Sequence, residues 1–257
     1  MWAVLGETFR LLAGHLHLFT LISLTVWLPG HVLRNYLEFF GPPEGAAALS
    51  LQLVLAIQLI FDPLVVCATL RALNRIKQGQ AVGYAAAMAE GLAGWARLFF
   101  VRCIVNSAVV LPALGGLAIN PAGARGLVAG IALLALAGLI LAGLVRYAVV
   151  DSVVVLGGAT TVTAWRRAAE ITAGQRWRIL GTATVLFVGI FASALLAAQV
   201  FKAAPALNHF VPRVMVDCAL AVGQSVFTIA LFLFYWRARA AAASGPAPAL
   251  PSGPPGG

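Results

Sequence analysis

The chain has 257 residues, of which 61% are hydrophobic and only 10% are charged, and its mean hydropathy is +0.96. A water-soluble domain carries roughly a quarter of Asp, Glu, Lys and Arg, so the composition excludes a soluble enzyme or binding domain. It predicts an all-α protein that crosses a membrane several times. The net charge of +9 comes from Lys and Arg residues that flank apolar runs, which favours anionic lipid headgroups over nucleic acid as partners.

The first part of the chain predicts a surface helix followed by two membrane spans. Residues 2–13 place apolar side chains on one helical face and charged side chains on the other, which is typical of a helix lying in the membrane interface. Spans follow at about 15–37 and 47–72, each long enough to supply the roughly 20 apolar residues that cross a bilayer. The turn at 41–45 separates them, and Pro29 is expected to kink or end the first.

Four further spans bring the predicted number to six. They lie at about 97–118, 127–150, 178–201 and 214–236. A weak amphipathic segment at 82–93 precedes the third span and is expected to be a second surface helix. Residues 1–240 are predicted to form a single helical membrane domain, and the Pro- and Gly-rich residues 241–257 a disordered cytoplasmic tail, because they cannot bury a core.

The most informative stretch, at residues 159–180, lies between the fourth and fifth spans. On a helix, Val162 and Trp165 fall on one side and Arg166 and Arg167 on the other, which predicts a short basic amphipathic helix with an aromatic anchor. Basic side chains on such a helix are attracted to anionic headgroups. The candidate lipid-headgroup contacts are therefore Arg166, Arg167, Arg176 and Arg178.

The positive charges are divided unevenly between the two sides of the predicted spans. Of the 17 Lys and Arg residues, 13 fall on the side of the amphipathic segments and four on the other. Cytoplasmic loops carry an excess of Lys and Arg. Both termini and the amphipathic segments are therefore expected in the cytoplasm.

A threefold internal repeat is a further prediction. Ala-Gly pairs at 13–14, 93–94 and 173–174 recur every 80 residues, and each lies between an amphipathic segment and a span. The repeating unit would be a surface helix followed by a hairpin of two spans. Because Ala-Gly pairs also occur elsewhere in the chain, the regular order of surface helices and hairpins is the stronger argument.

Asp62 is the most unusual polar residue, because it lies well inside the second span. An ionisable side chain at that depth costs about 2.5–3.5 kcal/mol on insertion scales, so it should face a partner or a wet cavity. Three interpretations stay open: a proton, cation or substrate site; a buried pair with Arg102 or Arg146; or a shifted span that brings Asp62 near the interface. The candidate intramembrane polar site comprises Gln58, Asp62, Asn106 and Arg146.

Other polar residues bear on these interpretations. Arg146 and Asp151 bracket the end of the fourth span, where they would hold a headgroup phosphate or pair with each other. The amides of Asn106, Gln199 and Gln224 are expected to join helices by hydrogen bonds. If these amides and Asp62 converge on one cavity, transport becomes the better interpretation.

Motifs for catalysis or metal binding are missing from the sequence. It contains no phosphate-binding loop, no nucleophile elbow and no HExxH motif. The three cysteines are far apart, and His15 and His17 point to different sides of a helix with no third ligand nearby. No catalytic residue, no cofactor and no metal site are therefore expected.

The stretch from 150 to 180 resembles the signature of a bacterial family that includes the YciC-like inner-membrane proteins and the membrane domain fused to glycerophosphoryl diester phosphodiesterases. In that family an apolar stretch, a conserved Ala/Arg/Thr/Gly pattern and a Trp or basic patch precede a new span. The residues that carry the resemblance here are Ala164, Arg166, Ala169, Ile171, Thr172, Gly174 and Trp177. The resemblance implies a six-span helical domain of the bacterial inner membrane. It does not imply phosphodiesterase activity, because the catalytic domain of the fused proteins has no counterpart in this sequence.

Two main functions follow as hypotheses. The first is a non-enzymatic inner-membrane protein that acts on membrane organisation through phospholipids, with a protein partner or a second copy of the chain as further options. The alternative is a transporter or permease for a small molecule or lipid that uses the polar residues around Asp62. An intramembrane enzyme acting on lipid is the weakest hypothesis.

Overall fold

The computed structural model describes residues 1–41, 46–117, 138 and 140–243, without the side chains of residues 46–48, 51, 106, 108–117, 161 and 243. Every secondary-structure element in these ranges is helical, which confirms the predicted all-α class. Helices are the expected form in a bilayer because they pair their own backbone polar groups. The elements are α1 Trp2–Gly14, α2 Leu16–Phe40, α3 Ala46–Lys77, α4 Tyr84–Leu117, α5 Val150–Gly157, α6 Thr161–Thr172, α7 Arg176–Ala203, a 3-10 turn Pro205–Leu207, and α8 Phe210–Ala243.

Five described helical stretches are long and apolar enough to cross a membrane, so the chain is a multi-pass membrane protein. They are Leu16–Phe40, Gln52–Lys77, Ile140–Gly157, Arg176–Ala203 and Phe210–Ala242. The sequence predicts six. The predicted third span, 97–118, lies in α4, whose apolar end reaches the limit of the described residues. Half of the predicted span at 127–150 and most of the predicted tail lie outside them, and α8 continues three residues beyond the predicted boundary at 240.

One end of the bundle is defined by α1, and we call it the α1 end. Glu7 accepts hydrogen bonds from Lys77, the last residue of α3, and from Arg237 near the end of α8. α7 begins at the same end, since a side chain at Gly181 would meet the Met1 sulfur at 2.9 Å. Helices α2 and α3 therefore form one pair that leaves the α1 end and returns to it. Helices α7 and α8 form a second such pair.

The chain between these two pairs also leaves the α1 end and returns to it. α4 starts there, because Glu90 near its beginning is paired with Arg75. Gly157 lies at that end again, because a side chain placed on it would lie 3.9 Å from the hydroxyl of Tyr235 in α8. A departure and a return need two crossings. We infer that α4 also crosses the membrane, which brings the crossings among the described helices to six.

Two of the three predicted surface helices are separate elements, namely α1 and α6. The predicted segment at 82–93 instead forms the beginning of α4, which continues without a break into the predicted third span. Gly91 does not interrupt the helix, because it is a packing position: a Cβ there would come within 2.8 Å of the Ala68 backbone nitrogen on α3. Small residues allow such close approach between membrane helices. The superposition of three repeats stays a prediction.

Proline does not end either of the first two spans. Pro29 lies inside α2 and Pro63 inside α3. Membrane helices tolerate proline where neighbouring helices, side chains or water satisfy the freed backbone groups. α2 ends at Phe40, directly before the predicted turn at 41–45, whose last four residues lie outside the described residues. The expected end of the span at Pro29 is therefore wrong, because the helix runs on for 25 residues in all; the expected kink stays a prediction.

The short helix α5 is part of the core and positions α6. Val153 is fully buried and Val154 almost so, and α5 packs against α3 and α6. Gly158 closes the helix with a φ of +61°, in the left-handed region that favours glycine. Because α5 ends at the α1 end, the basic helix α6 that follows it lies at that end too.

The docking of α1 is expected to depend on pH. Partial burial raises the pKa of Glu7, but the hydrogen bonds and charges of Lys77 and Arg237 outweigh it, so the pKa lies below its ordinary value of 4.5. A carboxyl whose pKa is lowered by folding stabilises the fold above its ordinary pKa, and the stabilisation is lost as the pH falls through and below that value. We therefore expect the amide protection factors of α1, taken relative to the unfolded chain at the same pH, to fall below pH 4.5, and to be lower at pH 7 in Glu7→Gln than in the wild type. Glu170→Gln, at an exposed position, is the control; unchanged protection of α1 in Glu7→Gln would contradict the docking role of these ion pairs.

Candidate functional site: a buried charge cluster beside a basic surface

Asp62, Arg102 and Asp151 form a charge cluster that joins three helices. The Arg102 Nη1 atom donates to Asp62 Oδ2 at 3.0 Å, and Nη2 donates to Asp151 Oδ2 at 2.5 Å. The Arg102 Nε atom also donates to Asp151 Oδ1 at 3.3 Å, so this pair is bidentate. Asp62 comes from α3, Arg102 from α4 and Asp151 from α5. Of the interpretations that the sequence left open for Asp62, the structure contains the pair with Arg102.

The cluster carries one guanidinium between two carboxylates. All three side chains are more than two thirds buried, with exposed fractions of 18–29%. A bidentate arginine–carboxylate pair is strong and geometrically specific, and removal of one partner from a buried pair leaves an uncompensated charge. When all three groups are ionised, the cluster has one negative charge in excess. It therefore stabilises a cation or a proton nearby better than an anion.

The predicted amides do not gather around this cluster. Gln58 lies on α3 one turn from Asp62 but is exposed, and Gln199 and Gln224 are exposed on α7 and α8. The Asn106 side chain lies outside the described residues. The convergence that would favour transport is therefore not found for the described amides.

A second polar contact was missed by the sequence interpretation. Asn35, which is 1% exposed, donates from Nδ2 to Asp217 Oδ2 at 2.8 Å and so joins α2 to α8. Arg34 adds a weaker charge contact with Asp217 at 3.9 Å. An aspartate inside the apolar run before Cys218 was the available signal, because it has the same features as Asp62.

A large apolar cavity lies beside the charge cluster. Its volume is about 920 Å³, and its walls come from α4, the segment 140–151, α6, α7 and α8. Arg102 and Asp151 line it, whereas Asp62 does not. The remaining walls are mainly aliphatic and aromatic, among them Leu144, Phe187 and Phe227. Such a cavity can hold an apolar group and exclude water from the cluster.

The four candidate headgroup arginines are all exposed at or near α6. Arg166 and Arg167 lie on α6, and Arg176 and Arg178 open α7. Apolar side chains beside them are exposed as well: Val162 is 81% and Trp177 is 84% exposed. Exposed apolar and basic groups side by side are what a membrane interface accommodates, with the apolar groups in the acyl region and the charges at the phosphates.

Arg146 belongs to this basic surface and not to the charge cluster. Its backbone carbonyl accepts a hydrogen bond from the Thr172 hydroxyl at 2.7 Å, which ties the segment before α5 to the end of α6. Its guanidinium lies 5.6 Å from the centre of the Tyr147 ring, and that ring meets Trp165 edge to face at 4.5 Å. A groove of about 520 Å³ between these elements is lined by Arg146, Arg166 and Glu170 together with Tyr147 and Trp165. The predicted site around Asp62 is thus divided into two places.

Within the part of the chain that the structure describes, no three His, Cys, Asp or Glu side chains come together as a metal site. Cys67 and Cys218 are buried, and Cys103 is half-buried; none of the three is in a disulfide. Comparison of the chain with protein-family models, curated proteins and solved structures finds no match.

Proposed function

We propose that this is a non-enzymatic, multi-pass protein of the bacterial inner membrane that binds anionic phospholipids at its α1 end, with both termini in the cytoplasm. The observation that carries the proposal is the exposed basic and apolar surface of α6 and the start of α7, where Trp177 is 84% exposed beside Arg176 and Arg178. Phospholipid is the occupant whose chemistry matches both parts of this surface.

The orientation is supported by the distribution of charge. The basic helix α6, helix α1 and the Lys- and Arg-bearing ends of α3 and α8 lie at one end of the bundle. Juxtamembrane basic residues are each attracted to the anionic cytoplasmic leaflet by about 1 kcal/mol. The resemblance drawn from the sequence between residues 150–180 and bacterial inner-membrane proteins implies the same location.

Charge reversal in α6 tests this proposal. Purified protein in detergent is expected to gain more thermal stability from added phosphatidylglycerol than from phosphatidylcholine. Arg166→Glu combined with Arg167→Glu should abolish most of this difference, because it removes two attractive charges and adds two repulsive ones. The measurement is the melting temperature at equal lipid concentrations. The matched control makes the same charge change at the opposite end, with Lys202→Glu and Arg213→Glu. An unchanged preference for phosphatidylglycerol in the α6 variant would contradict the proposal.

Transport of a small molecule or lipid is the second candidate function. It is favoured by the cavity of about 920 Å³ that reaches Arg102 and Asp151 inside the bundle. Coupling through the cluster requires Asp62 to change its charge, and the Asp62→Asn variant cannot do so. If the wild-type protein shows a ligand-dependent or pH-dependent change in melting temperature that Asp62→Asn removes, transport is supported. If the wild type and the variant respond alike, coupling through Asp62 is excluded.

A further inference from the structure

Two hollows of different chemistry meet at one aromatic pair. The apolar cavity of about 920 Å³ and the basic groove of about 520 Å³ both include Tyr147 and Trp165 in their walls. The two rings meet edge to face, with their centres 4.5 Å apart. The apolar space and the charged one thus adjoin at this pair. This order of surfaces matches the order of parts in an amphiphile, from acyl chain to headgroup.

The cavity itself offers no site for an anionic headgroup. Arg102 is the cation in its wall, and its guanidinium already donates to both Asp62 and Asp151. With two carboxylates around one guanidinium, the local charge is negative and repels a phosphate. The apolar walls and a volume within the range of about 300–1,000 Å³ seen for ligand sites suit acyl chains.

The groove has the complementary charge. Arg146 and Arg166 line it together with a single acidic residue, Glu170, so the three side chains leave one positive charge in excess. One phosphodiester group carries one negative charge and would neutralise the groove. Arginine is also well suited to phosphate, because its planar guanidinium donates two parallel hydrogen bonds.

We propose that one phospholipid with a single negative charge, such as phosphatidylglycerol, occupies both hollows. Its acyl chains fill the cavity, its glycerol region passes Tyr147 and Trp165, and its phosphate binds Arg146 and Arg166. The inference rests on the proposed function in taking a phospholipid as the ligand. It goes further by assigning one lipid to one site, distinct from the lipids that surround the basic surface.

The test uses the full chain, purified in detergent, stripped of lipid and titrated with phosphatidylglycerol whose chains are brominated. Bromine quenches nearby tryptophan fluorescence, and the difference between wild type and Trp165→Phe isolates the signal of Trp165. We expect saturable quenching with one lipid bound per protein, counted by native mass spectrometry. Ala183→Trp, which fills the cavity, and Arg146→Gln with Arg166→Gln, which discharges the groove, should each weaken binding by about tenfold or more.

Three controls make the outcome decisive. Leu141→Trp, at a more exposed position in the cavity wall, replaces Ala183→Trp if that variant does not fold. Arg167→Gln with Arg178→Gln removes the same charge from the basic surface outside both hollows and should retain the bound lipid. Brominated phosphatidylcholine, which has no net charge, should bind more weakly. The single-lipid site is overturned if the cavity and groove variants bind lipid as tightly as the wild type does. It is also overturned if the quenching never saturates. The thermal preference for phosphatidylglycerol and its loss in Arg166→Glu with Arg167→Glu are measured separately, so the single-lipid site can fail while the proposed function stands.

Discussion

Replacement of Arg102 by Met is expected to lower the free energy of unfolding by about 3–5 kcal/mol, the loss typical of removing one partner from a buried ion pair. The variant leaves Asp62 and Asp151 in the bundle with no guanidinium between them. The two carboxylates then repel each other in a medium of low dielectric constant. Unfolding in detergent, followed by circular dichroism against increasing sodium dodecyl sulfate, measures the effect.

The carboxylates supply the internal controls for this prediction. Asp62→Asn keeps the bidentate pair of Arg102 with Asp151 and removes the excess negative charge, so we expect a change of less than about 1 kcal/mol, as for a single membrane hydrogen bond. Arg102→Met combined with Asp62→Asn and Asp151→Asn should recover much of the stability, because no unpaired charge remains. Arg97→Met, at an exposed position on the same helix, should have little effect. Equal losses in Arg97→Met and Arg102→Met would show that the cluster does not stabilise the bundle.

The fold class was predictable because the pattern that sets it is local. Each span can be recognised from a run of apolar residues of bilayer length. Helix α6, Thr161–Thr172, lies within the stretch 159–180 in which the sequence predicts a helix from its apolar and basic faces. Whether the weak segment at 82–93 is a separate helix was harder to predict, because a short amphipathic helix and the first turns of a long one have the same periodicity. The packing of this segment against α3, through the close approach of Gly91 to Ala68 and the pair of Glu90 with Arg75, distinguishes them.

The candidate site was less predictable because its members come from different helices. The depth of Asp62 could be counted along one span, but its partner depends on how α3, α4 and α5 pack. The sequence left Arg102 and Arg146 as equal candidates for that partner, and the packing brings Arg102 between Asp62 and Asp151. The pair of Asn35 and Asp217 was missed for the same reason. Spacing along a chain says which residues are unusual; packing decides which of them meet.

Phe232→Ala is expected to lower the free energy of unfolding by about 3 kcal/mol, at the lower end of the range for such truncations in soluble cores. Phe232 in α8 is fully buried, and its ring lies 5.8 Å from that of Trp236. Lipid solvates apolar side chains as well as a protein core does, so burial alone contributes little to helix association in a membrane. The loss comes from the cavity that the missing ring leaves in a close-packed interior.

Phe100→Ala is the matched control, and it decides whether the exposed apolar surface faces lipid. Phe100 in α4 is 65% exposed, so its removal leaves no internal cavity and should change the free energy of unfolding by less than about 0.5 kcal/mol. Phe100→Ser should lower the free energy of unfolding slightly more than Phe100→Ala does, because its hydroxyl enters a medium that cannot hydrogen-bond to it. If the exposed surface faced water, Phe100→Ser would instead be neutral or stabilising. The order of the three variants, measured by the same unfolding assay in detergent, therefore reports the solvent around α4, and with it the sixth crossing that the contacts of Glu90 and Gly157 require.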